Sequence, residues 1–209
     1  MNELCHYGIL GQKWGVRRYQ DSRGRLTPAG KQRYHYSNRD GDVIIDKGTV
    51  VRRTSTKKIE DEQKRIKYIT IDSLDKTWRN DFKRHYGQAF EHVYEASKDI
   101  RVQSINDSYK LFDEMMKNKS FQKKVEKQAI EREQQVGAKL SDYGYETPRD
   151  KFFVTFMSRG DATNAYIAMS MKRGYDAMAD VFGVDSGSKT ATIVYDPSES
   201  LSEKKVKRL

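Results

Sequence analysis

The sequence predicts an α+β domain: small antiparallel sheets, interrupted by a helical insertion and preceded by a basic arm rich in glycine, tryptophan and arginine. Three observations predict it. β-Branched residues gather in short runs bounded by turn formers early (42–73) and again late (175–197). Between them, from Ser104 to Arg173, apolar residues recur at helical spacing behind good N-caps. The first forty-one residues have neither pattern and carry glycines, aromatics and cations with few acids.

The early strands are "DVIIDKGTVVRRTST", two short runs on either side of a Lys47-Gly48 turn, and "IKYITIDS". In the latter, Ile66, Tyr68 and Thr70 alternate with Lys67, Ile69 and Ile71. Leu74, Trp78, Phe82 and Tyr86 follow at steps of four, one helical face, and "HVYEASKDIRV" returns to strand. In the insertion, Ile105, Tyr109, Phe112 and Met116 share a face after Ser104. Ser120 is the expected cap of a second helix that ends near Gly137. Thr147-Pro148 starts a third, and Asp161 opens a fourth that Gly174 stops. "GYDAMADV" and "KTATIVYD" read as paired strands around "FGVDSGS", and "EKKVKRL" as a frayed basic tail. The expected organisation is an arm over 1–41, the α+β domain over 42–202 and the tail over 203–209.

Composition narrows the function. In 209 residues, 40 Lys and Arg against 30 Asp and Glu give a net charge of +10, which favours a polyanionic or acidic partner. The same lysines can equally serve to solvate helices. One cysteine, Cys5, excludes an intrachain disulfide. No run approaches the ~20 apolar residues of a membrane span, so none is expected. His6, His35, His85 and His92 are scattered, with no CxxC or HExxH spacing, and no metal site is expected. "GILGQKWG" lacks the order of a phosphate loop, and no GxSxG elbow exists for a serine hydrolase.

In the arm, Tyr7, Trp14, Tyr19 and Tyr34 interleave with Lys13, Arg17 and Arg18. Such a mixture suits cation–π stacking and contacts to bases or phosphates, and its glycines let a partner approach the backbone. Three uses stay open: packing onto its own domain, docking on another protein through Lys13, Trp14, Arg17, Arg18 and Tyr19, or direct contact with nucleic acid. "DSRGR" is a turn, and "LTPAGKQRY" starts a short helix with Thr27 as N-cap and Pro28 at its first position.

The stretch "HYGILGQKWGVRRYQDSRGRLTPAGKQRY" closely resembles a segment of bacteriophage and prophage proteins of Gram-positive hosts, matching at His6, Gly8, Gly11, Lys13 to Gln20 and Leu26 to Gly30. The resemblance implies a phage protein encoded near head genes and carried in the virion. Other virion or head proteins, and DNA, are its implied partners, and the virion or the infected host's cytoplasm its place. "KGTVVRRTST", "KYITIDS", "HYG" and "GYDAMADVFGVDSGSKTATIVYDPSESL" resemble ADP-ribosyltransferase-like domains found behind such segments. That likeness implies Arg53 for a dinucleotide pyrophosphate, Thr70 and Ser73 for the nicotinamide ribose, Tyr86 as the stacking aromatic and Asp180 as the late acid. An arginine fork suits a pyrophosphate, and a carboxylate steadies the ribose hydroxyl as the glycosidic bond breaks. Residues 174–197 hold no Glu-x-Glu or Gln-x-Glu pair, so the chain departs there from an active pattern.

The leading expectation is therefore a structural, virion-associated protein on an ADP-ribosyltransferase-like scaffold, with no cofactor. Two alternatives are a mono-ADP-ribosyltransferase that uses NAD on a host protein and a nucleic-acid-binding packaging accessory.

Overall fold

The computed structural model describes residues 19–22, 25–33, 42–56, 66–71, 83–85, 87–181 and 191–209. The stripe Leu74, Trp78, Phe82 and Tyr86, the turn "FGVDSGS" and most of the arm lie outside them. Over the described residues the chain is α+β, with eight strands in two sheets and a helical layer.

The strands are β1 (Val43–Ile45), β2 (Val50–Ser55), β3 (Lys67–Ile69), β4 (Phe90–Ala96), β5 (Ile100–Gln103), β6 (Ala177–Ala179), β7 (Thr192–Val194) and β8 (Leu201–Arg208). One sheet has the order β1-β5-β6-β7-β3 and the other β2-β4-β8. Strands that are neighbours in the chain thus often belong to different sheets. β1 passes to β2, β4 to β5, and β7 to β8 through short connections that meet at one corner. There Gly48 N–H donates to Ala96 O (2.8 Å), Lys47 N–H to the Asp99 carboxylate (2.8 Å) and Ser97 N–H to Ser200 O (2.9 Å). Gly48 takes a φ of 82°, which its missing Cβ allows.

All pairs are antiparallel but one: β5 and β6 run parallel, Val102 opposite Ala177 and Gln103 opposite Met178. The all-antiparallel expectation fails here because the helical insertion separates these two strands, and a crossover that long returns the chain to its starting end. The closing segment differs from expectation too. "EKKVKRL" continues β8, which pairs with β4 from Ala96↔Leu201 to Phe90↔Arg208.

The insertion comprises α2 (Ile105–Met115), α3 (Lys119–Val136), α4 (Pro148–Thr155) and α5 (Asp161–Lys172), after a short α1 (Pro28–Arg33) in the arm; α6 (Pro197–Ser200) precedes β8. Ser104 caps α2 by accepting from Asp107 N–H, and Thr147 caps α4 by accepting from Asp150 N–H. Asn118, not Ser120, caps α3. Its extended backbone lets the amide oxygen accept from Ser120 and Phe121 N–H, so Ser120 already lies inside the first turn. Gly137 (φ 70°) and Gly174 (φ 83°) follow α3 and α5 as expected.

Phe112, Phe121, Phe152, Phe153, Phe156 and Tyr166 form one aromatic cluster between these helices, with Phe112 and Phe152 5.0 Å apart and Phe152 perpendicular to Phe156 at 5.5 Å. Buried polar groups fix its borders. Gln128 Nε2 donates to the hydroxyls of Thr155 and Thr163 (both 3.0 Å), and its Oε1 accepts from Thr163 N–H. Gly160 is required beside it, because a Cβ there would sit 2.4 Å from Gln128 Oε1. Gln103 on β5, Tyr166 and Ser170 on α5, and Tyr195 after β7 make a second buried network that ties helices to the five-stranded sheet. Burial pushes the Tyr166 and Tyr195 phenols well above the ordinary tyrosine value.

Candidate functional site

The seam between the two sheets is the candidate site, because charged side chains lie there among core residues. In β2, side chains alternate, and Val51 and Arg53 share a face with their ladder partners Tyr94 and His92. Val51 and Tyr94 belong to the core, so this face looks inward. Across the seam, Lys67 on β3 places Nζ 3.2 Å from Tyr94 OH and 4.6 Å from the ring centre. Arg53 Nη1 donates to Tyr68 O (3.3 Å), carrying its guanidinium from one sheet to the backbone of the other. His92 stacks on Tyr94 at 6.2 Å and lies with Nδ1 3.0 Å from Glu203 Oε1 on β8.

Lys67 is 5% exposed and His92 1%. Burying a cation costs several kcal/mol unless it is hydrogen-bonded and paired, so Lys67 leans on the Tyr94 hydroxyl and ring. Chemically, an arginine fork, a lysine and a phenol are donors for an anionic oxygen.

A backbone bridge closes the seam at one side: Arg52 and Thr70 exchange N–H···O bonds of 2.8 Å each. Ile69, Thr192 and Ala179 lie abreast on β3, β7 and β6. One residue further, Asp180 N–H donates to Ala191 O (2.9 Å), which brings Thr70 and Asp180 to the same sheet end, two strand spacings or about 10 Å apart. The pleat turns both toward the face opposite Lys67 and Ile69, whereas Arg53 lies between the sheets. The structure thus sets Arg53 and Thr70 on joined strands, and Thr70 and Asp180 at one sheet end, but on the two sides of β3. Ser73 and Tyr86 lie outside the described residues.

Sequence reasoning missed Lys67, His92, Tyr94 and Glu203. For Lys67 the signal was present: it alternates in step with Ile69 and Ile71, a lysine on an apolar face. For His92 and Glu203, 111 residues apart, no local pattern exists.

The arm supplies a second arrangement. Lys13, Trp14, Arg17 and Arg18 lie outside the described residues; Tyr19 is half-buried and packs against the core. Its neighbour Gln20, 1% exposed, grips the edge of β2 with both ends of its amide. Nε2 donates to Val50 O (2.7 Å), and Oε1 accepts from Val50 N–H (2.8 Å), as a paired strand would. Gln20 bridges back to Leu26, Thr27 N–H donates to Tyr19 O (2.9 Å), and the Thr27 hydroxyl accepts from Gly30 N–H (3.1 Å). A Cβ on Gly30 would stand 2.0 Å from Tyr19 O. The "LTPAG" stretch therefore builds a compact knob that holds Gln20 in place.

Among the described residues, no cluster of His, Cys, Asp or Glu could hold a metal ion, and no helix is long and apolar enough to cross a membrane. Comparison with models of protein families, with curated proteins and with solved structures finds no match for this chain.

Proposed function

We propose that this chain is a structural, virion-associated protein of a bacteriophage, an ADP-ribosyltransferase-like scaffold anchored by its basic arm and not a turnover enzyme. One observation carries the reading: the phage-like segment contains Gln20, whose amide is locked onto Val50 of β2. A segment that grips a partner through residues 6–18 would be coupled directly to the sheet by that clamp. The contacts of the seam favour a scaffold as well. Arg53 donates to the Tyr68 carbonyl and Lys67 to the Tyr94 hydroxyl, while Thr70 and Asp180 turn to the other face of β3. Small sheets with a helical insertion between strands agree with the ADP-ribosyltransferase-like build.

The test is quantitative mass spectrometry of purified particles of the phage that encodes the chain. The expected result is a fixed number of copies per particle, lost when residues 1–18 are deleted. Abundant protein in the infected cell with none in the particles rejects the proposal.

A second reading is a mono-ADP-ribosyltransferase, supported only in that the Arg52–Thr70 bridge joins the strand of Arg53 to that of Thr70, their side chains turning to opposite faces. Labelled NAD and host lysate test it. Labelling of a host protein that is lost in Arg53→Ala supports transfer; no labelling, or labelling unchanged in that variant, removes it.

A further inference from the structure

The two edges of the three-stranded sheet are treated differently. On the β2 edge, Gln20 takes the N–H and C=O of Val50, and Thr70 takes those of Arg52. On the other side, β8 pairs with β4 alone among the described residues, and no other described strand pairs with its outer row of backbone groups. Its eight residues span about 27 Å, long for a strand left on an edge.

The charged side chains along that edge are mostly cationic. Lys204, Lys205, Lys207 and Arg208 are exposed, and none of them makes an ion pair among the described residues. Lys205 and Lys207 stand opposite Val93 and Glu91, and Lys204 is the extra residue where the register shifts. The strand's single acid, Glu203, is engaged with His92. A second copy of β8 would set lysine against lysine, which is how edge lysines prevent self-pairing. A strand of opposite sign meets no such repulsion. Main-chain bonds would then supply adhesion and the four cations the selection.

We propose that β8 is a docking edge for an extended, acidic segment of another protein, bound by strand addition. The inference stands independently of the virion reading, since it uses only the edge and its charge.

The test uses the full chain and a synthetic peptide of alternating glutamate and threonine or valine, eight residues long. Expected are binding, slowed amide exchange along residues 202–208, and at least tenfold weaker affinity for the Lys205→Glu/Lys207→Glu protein. The same peptide N-methylated at alternate residues keeps its charge but lacks the edge donors, and it should bind at least tenfold more weakly. Equal binding of the N-methylated peptide overturns the proposal, because the attraction would then be charge alone. So does an oligonucleotide that occupies these lysines more tightly than the peptide, without slowing β8 exchange. Failure of the acidic peptide to bind also overturns it.

Discussion

Replacing Gln20 by alanine removes two hydrogen bonds, of 2.7 and 2.8 Å, and leaves the N–H and C=O of Val50 without their partner at the β2 edge. A buried backbone group stripped of its partner costs about 1–3 kcal/mol. Val50 is half-buried and water can reach it once the side chain is gone, so the low end applies, about 2 kcal/mol for the pair. At about 1.4 kcal/mol per tenfold, that is roughly a 30-fold rise in the opening of this edge. Native-state amide exchange measures it: the Val50 amide should exchange roughly 30-fold faster in Gln20→Ala, while Ile193 in β7, on the other sheet, keeps its rate. Gln20→Glu should do no better, since it retains an acceptor for Val50 N–H but points a carboxylate at Val50 O. Unchanged Val50 protection, or a loss shared equally with β7, would refute the idea that this amide latches the arm to the sheet.

Gly30→Ala should loosen the same knob from the other side: its Cβ meets Tyr19 O at 2.0 Å, and overpacking of this kind costs about 1–3 kcal/mol, read as faster exchange at Thr27 and Val50. Phe152→Ala removes the ring that contacts Phe112, Phe121 and Phe156, and should lower unfolding stability by about 3–5 kcal/mol in a denaturant titration. Alkaline titration followed by tyrosine absorbance should show Tyr166 and Tyr195 still protonated where exposed phenols have ionised. Their native values are raised by burial, so the stability they confer is intact below about pH 10 and is lost as pH climbs through the raised value; Tyr195→Phe should flatten that alkaline loss. At acid pH, the hydrogen bond from Lys110 holds the Asp107 carboxyl below its ordinary value, aided by the Ser104 hydroxyl. Its contribution is present above about pH 4 and is lost as pH falls through the depressed value, so Asp107→Asn should make the acid limb of the stability curve shallower.

What could be read from the chain was what is encoded locally. Ser104, Thr147, Gly137 and Gly174 mark helix ends by their own backbone chemistry, and the structure has helices ending there. The pairing of "GYDAMADV" with "KTATIVYD" was equally legible, because both runs are short, apolar and close in the sequence. The assignment of strands to sheets was not. β1 and β2 flank a tight turn yet part company at Gly48, and nothing in "DKGT" distinguishes a corner from a hairpin. β8 hid behind its lysines: Leu201 and Val206 alone hint at an apolar side, and its partner β4 lies about a hundred residues away. For the candidate site, Arg53 and Thr70 are implied by the resemblance to ADP-ribosyltransferase-like domains, but their placement relative to Asp180 depends on the face of β3, which is a property of three strands at once. Gln20 carried no signal as a strand-edge clamp, since its role exists only when β2 is beside it.

The corner where three passages cross has a mechanical consequence. Force applied through the arm enters at Val50 and is passed to the far sheet by the Arg52–Thr70 bonds and by those three covalent crossings. The crossings cannot yield without breaking the chain, and the six residue pairs of β2 with β4 resist together. Two side-chain hydrogen bonds at Gln20 are the weakest link in that path, so under tension this clamp opens first and the load then runs along the backbone into β1.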